Sequence, residues 1–143
     1  MADKLNILFL CTGNSCRSQM AEGFARALKG GVLEPYSAGV DPKGMNPLAV
    51  RAMQEAGVDI SRGTSKHVDA LRDIHFDIVV TVCGHADETC PAFPGKTRVV
   101  HIGFDDPPQL AKDAKTDDEA MVHYRRVRDE IRAWVATLPE SLG

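Results

Sequence analysis

The stretch ILFLCTGNSCRSQMAEG, residues 7–23, decides the fold. An apolar run, Ile7 to Leu10, ends at Cys11, Gly13 interrupts it, and beyond Arg17 the pattern turns helical. A strand that passes through a short glycine-bearing loop into a helix is half of a strand–helix–strand unit. In sheets built from such units, ligands bind beyond the carboxyl ends of the strands, and Cys11 sits at such an end. Successive N–H groups of the loop can point inward as a nest, and the following helix N-terminus adds positive potential. Gly13 permits backbone angles that other residues resist. No carboxylate occurs between Cys11 and Ser18, so nothing in the loop repels an anion. Thr12, Gly13, Asn14, Ser15, Cys16 and Arg17 are therefore the expected oxyanion-binding set, with Arg17 supplying a planar fork that grips a tetrahedral oxyanion in two places. Helix N-termini and nearby cations lower a cysteine pKa from ~8.5 to roughly 3.5–7.5, which makes Cys11 the expected nucleophile.

Around this loop the chain reads as one domain, residues 1–143. A net charge of −3 counts against nucleic acid, whose phosphate backbone calls for a basic footprint. The apolar run near the N-terminus is too short to span a membrane and lacks the flanks of a signal peptide. A cytoplasmic location follows as the expectation, so the four cysteines read as reactive groups, ligands or core residues and not as a disulfide framework.

Strands are expected at 5–10, 76–82 and 97–102, whose apolar runs suit parallel strands covered on both faces. A fourth, 32–38, carries Pro35 and belongs at an edge. Between them, Met20, Phe24, Ala27 and Leu28 share a helix face that stops at Gly30 and Gly31. Asn46 caps a second helix that begins with Pro47, presents Leu48, Ala52, Met53 and Ala56, and ends at Gly57. Thr116 and Glu119 form a capping box for the last helix, whose stripe is Tyr124, Val127, Ile131, Trp134, Val135 and Leu138. The alternation implies an α/β three-layer sandwich with right-handed crossovers. Arg125, Arg126, Arg128 and Arg132 lie mostly off the stripe and read as a solvated face.

The segment CTGNSCRS, 11–18, closely resembles the active-site loop of the low-molecular-weight protein tyrosine phosphatases and of the arsenate reductases built on the same fold. YSAGV (36–40), DIS (59–61) and FDDPP (104–108) recur in the expected order. The resemblance implies a four-stranded parallel sheet, Cys11 as nucleophile and Arg17 as oxyanion clamp. It also implies Asp106, directly before proline, as general acid in preference to Asp105, and Ser18 as the hydroxyl that hydrogen-bonds the nucleophilic sulfur. Cys16 is expected to pack or to lend polarity. The sequence after Asp106 lacks the aromatic residues with which the phosphatases flank an aryl phosphate.

Cys83 and Cys90 do not belong to the phosphatase pattern and match the redox pair of the thioredoxin-coupled arsenate reductases. The resemblance then implies that thioredoxin is the partner and arsenate the substrate, with phosphate or sulfate as mimics, in a monomeric enzyme without cofactor. Two readings stand beside it: a phosphatase that hydrolyses a Cys11–phosphoryl intermediate, and a non-enzymatic module in which Cys83 and Cys90 switch conformation for a partner. No metal is expected, because the cysteine spacing is not that of a zinc knuckle and His67, His75, His85, His101 and His123 are scattered. Some arsenate reductases of this type bind potassium through an Asn, a Glu, a Ser and an Asp. Asn14, Glu22 and Ser37 match three of these, but the fourth position is Lys66. Its ammonium is expected to stand in for the cation beside Glu22 and to orient Asn14, giving loop support without a metal.

Overall fold

Strand β1 (Leu5–Cys11) is the axis of the sheet: β2 (Leu33–Gly39) and β3 (Ile78–Thr81) pair with it on either side, and β4 (Arg98–His101) pairs with β3. The computed structural model describes residues 4–82 and 97–142. The strand order is β2-β1-β3-β4 and every pairing is parallel, as the apolar runs imply. Pro35 does lie on an edge strand, where its missing N–H costs no ladder bond on the open side.

The register brings Cys11 opposite Gly39, so β1 and β2 end at the same level. Ile7, Leu8, Phe9 and Leu10 are fully buried. Successive strand residues face opposite sides, so both faces of β1 are covered. Phe9 meets Trp134 edge-on, with ring centroids 6.1 Å apart. The expectation of equal burial fails for β4, where Val99 remains 48 % exposed. That strand occupies the other edge and pairs on one side only, a position that an apolar run does not reveal.

Helix α1 (Arg17–Lys29) ends just before Gly30 and Gly31. Its buried face includes Met20, Ala21, Phe24 and Ala25, whereas Ala27 and Leu28, expected on that face, are exposed. The stripe has turned toward Ala21 and Ala25, and the last turn carries the other two into solvent. In α2 (Pro47–Glu55), Asn46 Oδ1 accepts from Leu48 N and Ala49 N, and Gly57 closes the helix at φ 84°, a left-handed angle that suits glycine. After the short α3 (Pro107–Leu110) comes α4 (Asp117–Val135), which packs on α1, α2 and α3.

The capping of α4 departs from a regular box. Thr116 Oγ1 accepts from Glu119 N at 3.1 Å, but Glu119 reaches Lys115 N instead of the cap residue's own amide. Nor are all the arginines of α4 solvated: Arg128 is 13 % exposed at its side chain and donates to Ala52 O at 2.9 Å. Arg125 pairs with Glu55, clasping α4 to α2. Among the described residues no helix is long and apolar enough to cross a membrane.

Candidate active site

The backbone carbonyls of the loop between β1 and α1 are all engaged. Cys11 O accepts from Val40 N, Thr12 O from Asp41 N, Gly13 O from Lys43 N, Ser15 O from Asn46 N and Cys16 O from Met20 N, at 2.8–3.2 Å. Ser65 Oγ adds a second bond to Gly13 O at 2.8 Å, and Gln19 Nε2 donates to Asn14 O at 3.1 Å. In a trans peptide the N–H points opposite to the C=O. Five consecutive carbonyls, Cys11 to Ser15, are thus tied to the surrounding chain, an arrangement that leaves the opposed N–H groups suited to an anion nest.

The left-handed position of this nest falls on Asn14, at φ 48°, and not on Gly13 as expected. Asparagine tolerates that region because its side chain can bond locally. Here Asn14 is fully buried, donates from Nδ2 to Ser18 Oγ at 2.9 Å, and accepts at Oδ1 from Lys66 N and Gln19 Nε2. Its side chain is a strut inside the loop. At Gly13 an added Cβ would lie 3.0 Å from Lys43 Cγ, a close approach that the exposed lysine side chain would have to relieve. Gly39 is tighter still: a Cβ there would stand 2.5 Å from Thr12 O, so only glycine lets the end of β2 back the loop this closely.

Arg17 opens α1 and turns its guanidinium back under the hollow. Its Nη1 donates to Phe104 O at 2.9 Å, and its Nη2 lies 3.5 Å from Asp106 Oδ1. Its Nε is buried with no hydrogen-bond partner among the described residues. Phe104 is fixed in turn by an edge contact with Trp134, at 5.9 Å between centroids. The two adjacent aspartates part company: Asp106 faces Arg17, while Asp105 pairs outward with Arg126 at 3.0 Å. The Asp106 side chain is 43 % exposed.

Cys11 and Cys16 are both buried, at the end of β1 and at the cap of α1. Burial, and then the charge of Asp106, push the Cys16 thiol up to about 12 against the opposing pull of Arg17, so it stays protonated. Ser18 is fully buried and accepts from Asn14, which leaves its own proton to donate. Thr12 and Ser15 complete the loop. Cys83 and Cys90 lie outside the described residues.

Sequence reasoning missed Gln19, Ser65 and Gly39 as parts of this site. Ser65 acts across 52 residues of chain, a contact without local signal, whereas Gln19 meets Asn14 only five residues away and reaches Thr64 O across 45. A glycine directly after the SA of β2, level with Cys11, is a signal that could have been used.

The profile of the low molecular weight phosphotyrosine protein phosphatases matches residues 6–143. The chain belongs to this family. A curated relative, the arsenate reductase of Halalkalibacterium halodurans, is 50 % identical over 139 residues, covering 97 % of this chain and 98 % of the relative. A solved arsenate reductase in its phosphate-binding state superposes with a TM-score of 0.75 at 29 % identity, covering 97 % of this chain and 99 % of that one. A thioredoxin-dependent arsenate reductase from Corynebacterium glutamicum gives a TM-score of 0.69 at 25 % identity, over 99 % of this chain and 62 % of that one.

Behind the family's loop, the support around Lys66 differs from expectation. Lys66 holds Asn14 with its backbone N–H, at 3.0 Å, while its Nζ donates to Thr64 O at 2.8 Å. Glu22 pairs with Arg26 at 3.0 Å, not with Lys66. The ammonium still feels that carboxylate, which raises its pKa, although burial prevails and lowers it. Ser37 Oγ is buried with no hydrogen-bond partner among the described residues. These residues do not fit a potassium ion: Asn14 Oδ1 already accepts twice, Glu22 is engaged, and Lys66 brings positive charge to the place.

Proposed function

We propose that this chain reduces arsenate to arsenite, with Cys11, Cys83 and Cys90 as a thiol relay that thioredoxin resets. The observation that carries the oxyanion half is the outward-tied loop over Arg17, whose buried Nε has no partner among the described residues. The choice of arsenate is supported by the curated relative at half identity over nearly the whole chain. The choice of thioredoxin is supported by the extra cysteines and by the thioredoxin-dependent neighbour.

In the first step the Cys11 thiolate forms a bond to arsenic while Asp106 gives its proton to the departing oxygen, which leaves as water. The loop amides and Arg17 hold the remaining oxygens, and Ser18 donates to the sulfur. In the second step the Cys83 thiolate attacks Cys11 Sγ. The sulfur–arsenic pair stays on arsenic, which leaves as As(III), and a Cys11–Cys83 disulfide remains. Cys90 then attacks Cys83, releases the Cys11 thiolate and leaves a Cys83–Cys90 disulfide for the dithiol partner.

A second reading, hydrolysis of a Cys11–phosphoryl intermediate, draws on the same loop, Arg17 and Asp106, and the family's own phosphatase profile favours it as a side activity. Asp106 serves both chemistries and Asp105 neither. Asp106→Asn is therefore expected to slow formation of the Cys11 adduct by about 10²–10⁴-fold, the usual contribution of a positioned acid. Asp105→Asn should stay within about twofold, because it breaks only an exposed ion pair. Stopped-flow measurement of aryl phosphate cleavage or arsenate turnover with both variants checks this, and equal losses would refute the assignment.

With Lys66 where other members carry a cation ligand, activity should be independent of potassium. Exchange of KCl for NaCl at equal ionic strength, which keeps screening constant, should leave the rate within about twofold. Clear stimulation by KCl would contradict the conclusion that these residues do not fit a potassium ion.

A further inference from the structure

Asn46 does more than cap α2. Its backbone N–H donates to Ser15 O at 3.0 Å, its Oδ1 accepts from Leu48 N at 2.9 Å and Ala49 N at 3.2 Å, and its Nδ2 donates to Tyr124 Oη at 2.9 Å. One residue thus joins the oxyanion loop, the start of α2 and the core face of α4. We propose that Tyr124 is a positioning residue for the oxyanion loop, acting through Asn46 to keep the Ser15 carbonyl outward and the Cys16 N–H aimed into the hollow. The inference rests on the reading of that hollow as an oxyanion site.

Capping alone does not explain the arrangement. A serine at position 46 would supply the oxygen that α2 needs, so the amide nitrogen is the part that capping leaves over. That nitrogen is spent on a tyrosine only 3 % exposed, whose ring is locked into the core with α4. Phenylalanine would fill the same core position, so the hydroxyl is the part that packing leaves over. The two surplus groups bond to each other.

Ser15 C=O and Cys16 N–H belong to one peptide group. Whatever fixes the carbonyl on Asn46 therefore fixes the direction of an amide that faces the anion. Burial raises the Tyr124 pKa and the bond from Asn46 opposes it in part, so the group accepting from Asn46 stays a neutral hydroxyl. Among the described residues the hydrogen bond that ties Tyr124 to the loop's support is the one from Asn46, so its role is positioning and not catalysis.

The test compares wild type, Tyr124→Phe, Asn46→Ser and the double variant by calorimetric titration with inorganic phosphate, alongside their melting temperatures. Both single variants should raise the phosphate Kd by about fivefold to tenfold, the effect of one lost hydrogen bond. Because both break the same link, the double variant should show about the same rise and not the product of the two. In arsenate or aryl phosphate turnover the loss should fall on KM more than on kcat. A Tyr124→Phe protein with a lowered melting temperature but a phosphate Kd within about twofold of wild type would overturn the inference and leave Tyr124 as a core residue. Multiplicative effects in the double variant would overturn it as well. A wild-type protein without affinity for phosphate would overturn the oxyanion-site reading itself, and this inference with it.

Discussion

Arg17→Lys is expected to reduce kcat/KM for arsenate by about 10²–10³-fold and to weaken phosphate binding in parallel. The substitution keeps a positive charge beneath the loop, so simple electrostatics would leave most of the activity in place. The geometry argues otherwise. Arg17 uses Nη1 to anchor itself on Phe104 O and holds Nη2 within 3.5 Å of Asp106, while Nε stays buried without a partner among the described residues. A planar fork can keep one branch on the protein and turn another toward the oxyanion. An ammonium on a flexible stem supplies one point of charge and must choose. It would also leave Phe104 O unclaimed and free Asp106 from the cation that faces it. Steady-state kinetics together with phosphate titration measure both effects. A lysine variant within about tenfold of wild type would mean that charge alone suffices and that the fork is dispensable.

Cys83→Ser is expected to lower thioredoxin-coupled turnover by roughly 10³-fold or more, as loss of a nucleophile does, while phosphate affinity stays within about twofold. The asymmetry follows from the chemistry. In the proposed mechanism, capture of the oxyanion needs only the loop, Arg17, Cys11 and Asp106. Reduction of As(V) needs two electrons, and a serine oxygen cannot take part in a disulfide that returns an electron pair to arsenic. The variant should therefore stop at the Cys11 adduct and retain whatever phosphatase side activity the wild type has. Equal turnover in both proteins would remove Cys83 from the relay.

The parts of the fold legible in the sequence were those governed by local rules. The run into Cys11, the Asn46–Pro47 helix start and the stripe of α4 each depend on neighbours a few residues away, and each appears where expected. The choice of Asp106 as the aspartate near Arg17 came from a motif, and the geometry separates it from Asp105 through the outward pull of Arg126. What local rules missed was set by tertiary placement. Gly13 and Asn14 both tolerate a left-handed backbone, and the buried struts to Ser18 and Lys66 decide for Asn14. An apolar run does not say whether a strand is central or at an edge, so the exposure of Val99 was not foreseeable from it. The ammonium of Lys66 was expected beside Glu22, but a carboxylate with Arg26 one turn away already has a partner.

The most direct test of the account is arsenate-dependent consumption of NADPH by the wild-type protein in the presence of thioredoxin and thioredoxin reductase, with Cys83→Ser as the comparison. The account predicts sustained NADPH oxidation only when arsenate, thioredoxin and the wild-type chain are all present, and none above background with the variant. If arsenate drives no NADPH oxidation while both proteins hydrolyse an aryl phosphate equally well, the chain is a phosphatase and the relay is wrong.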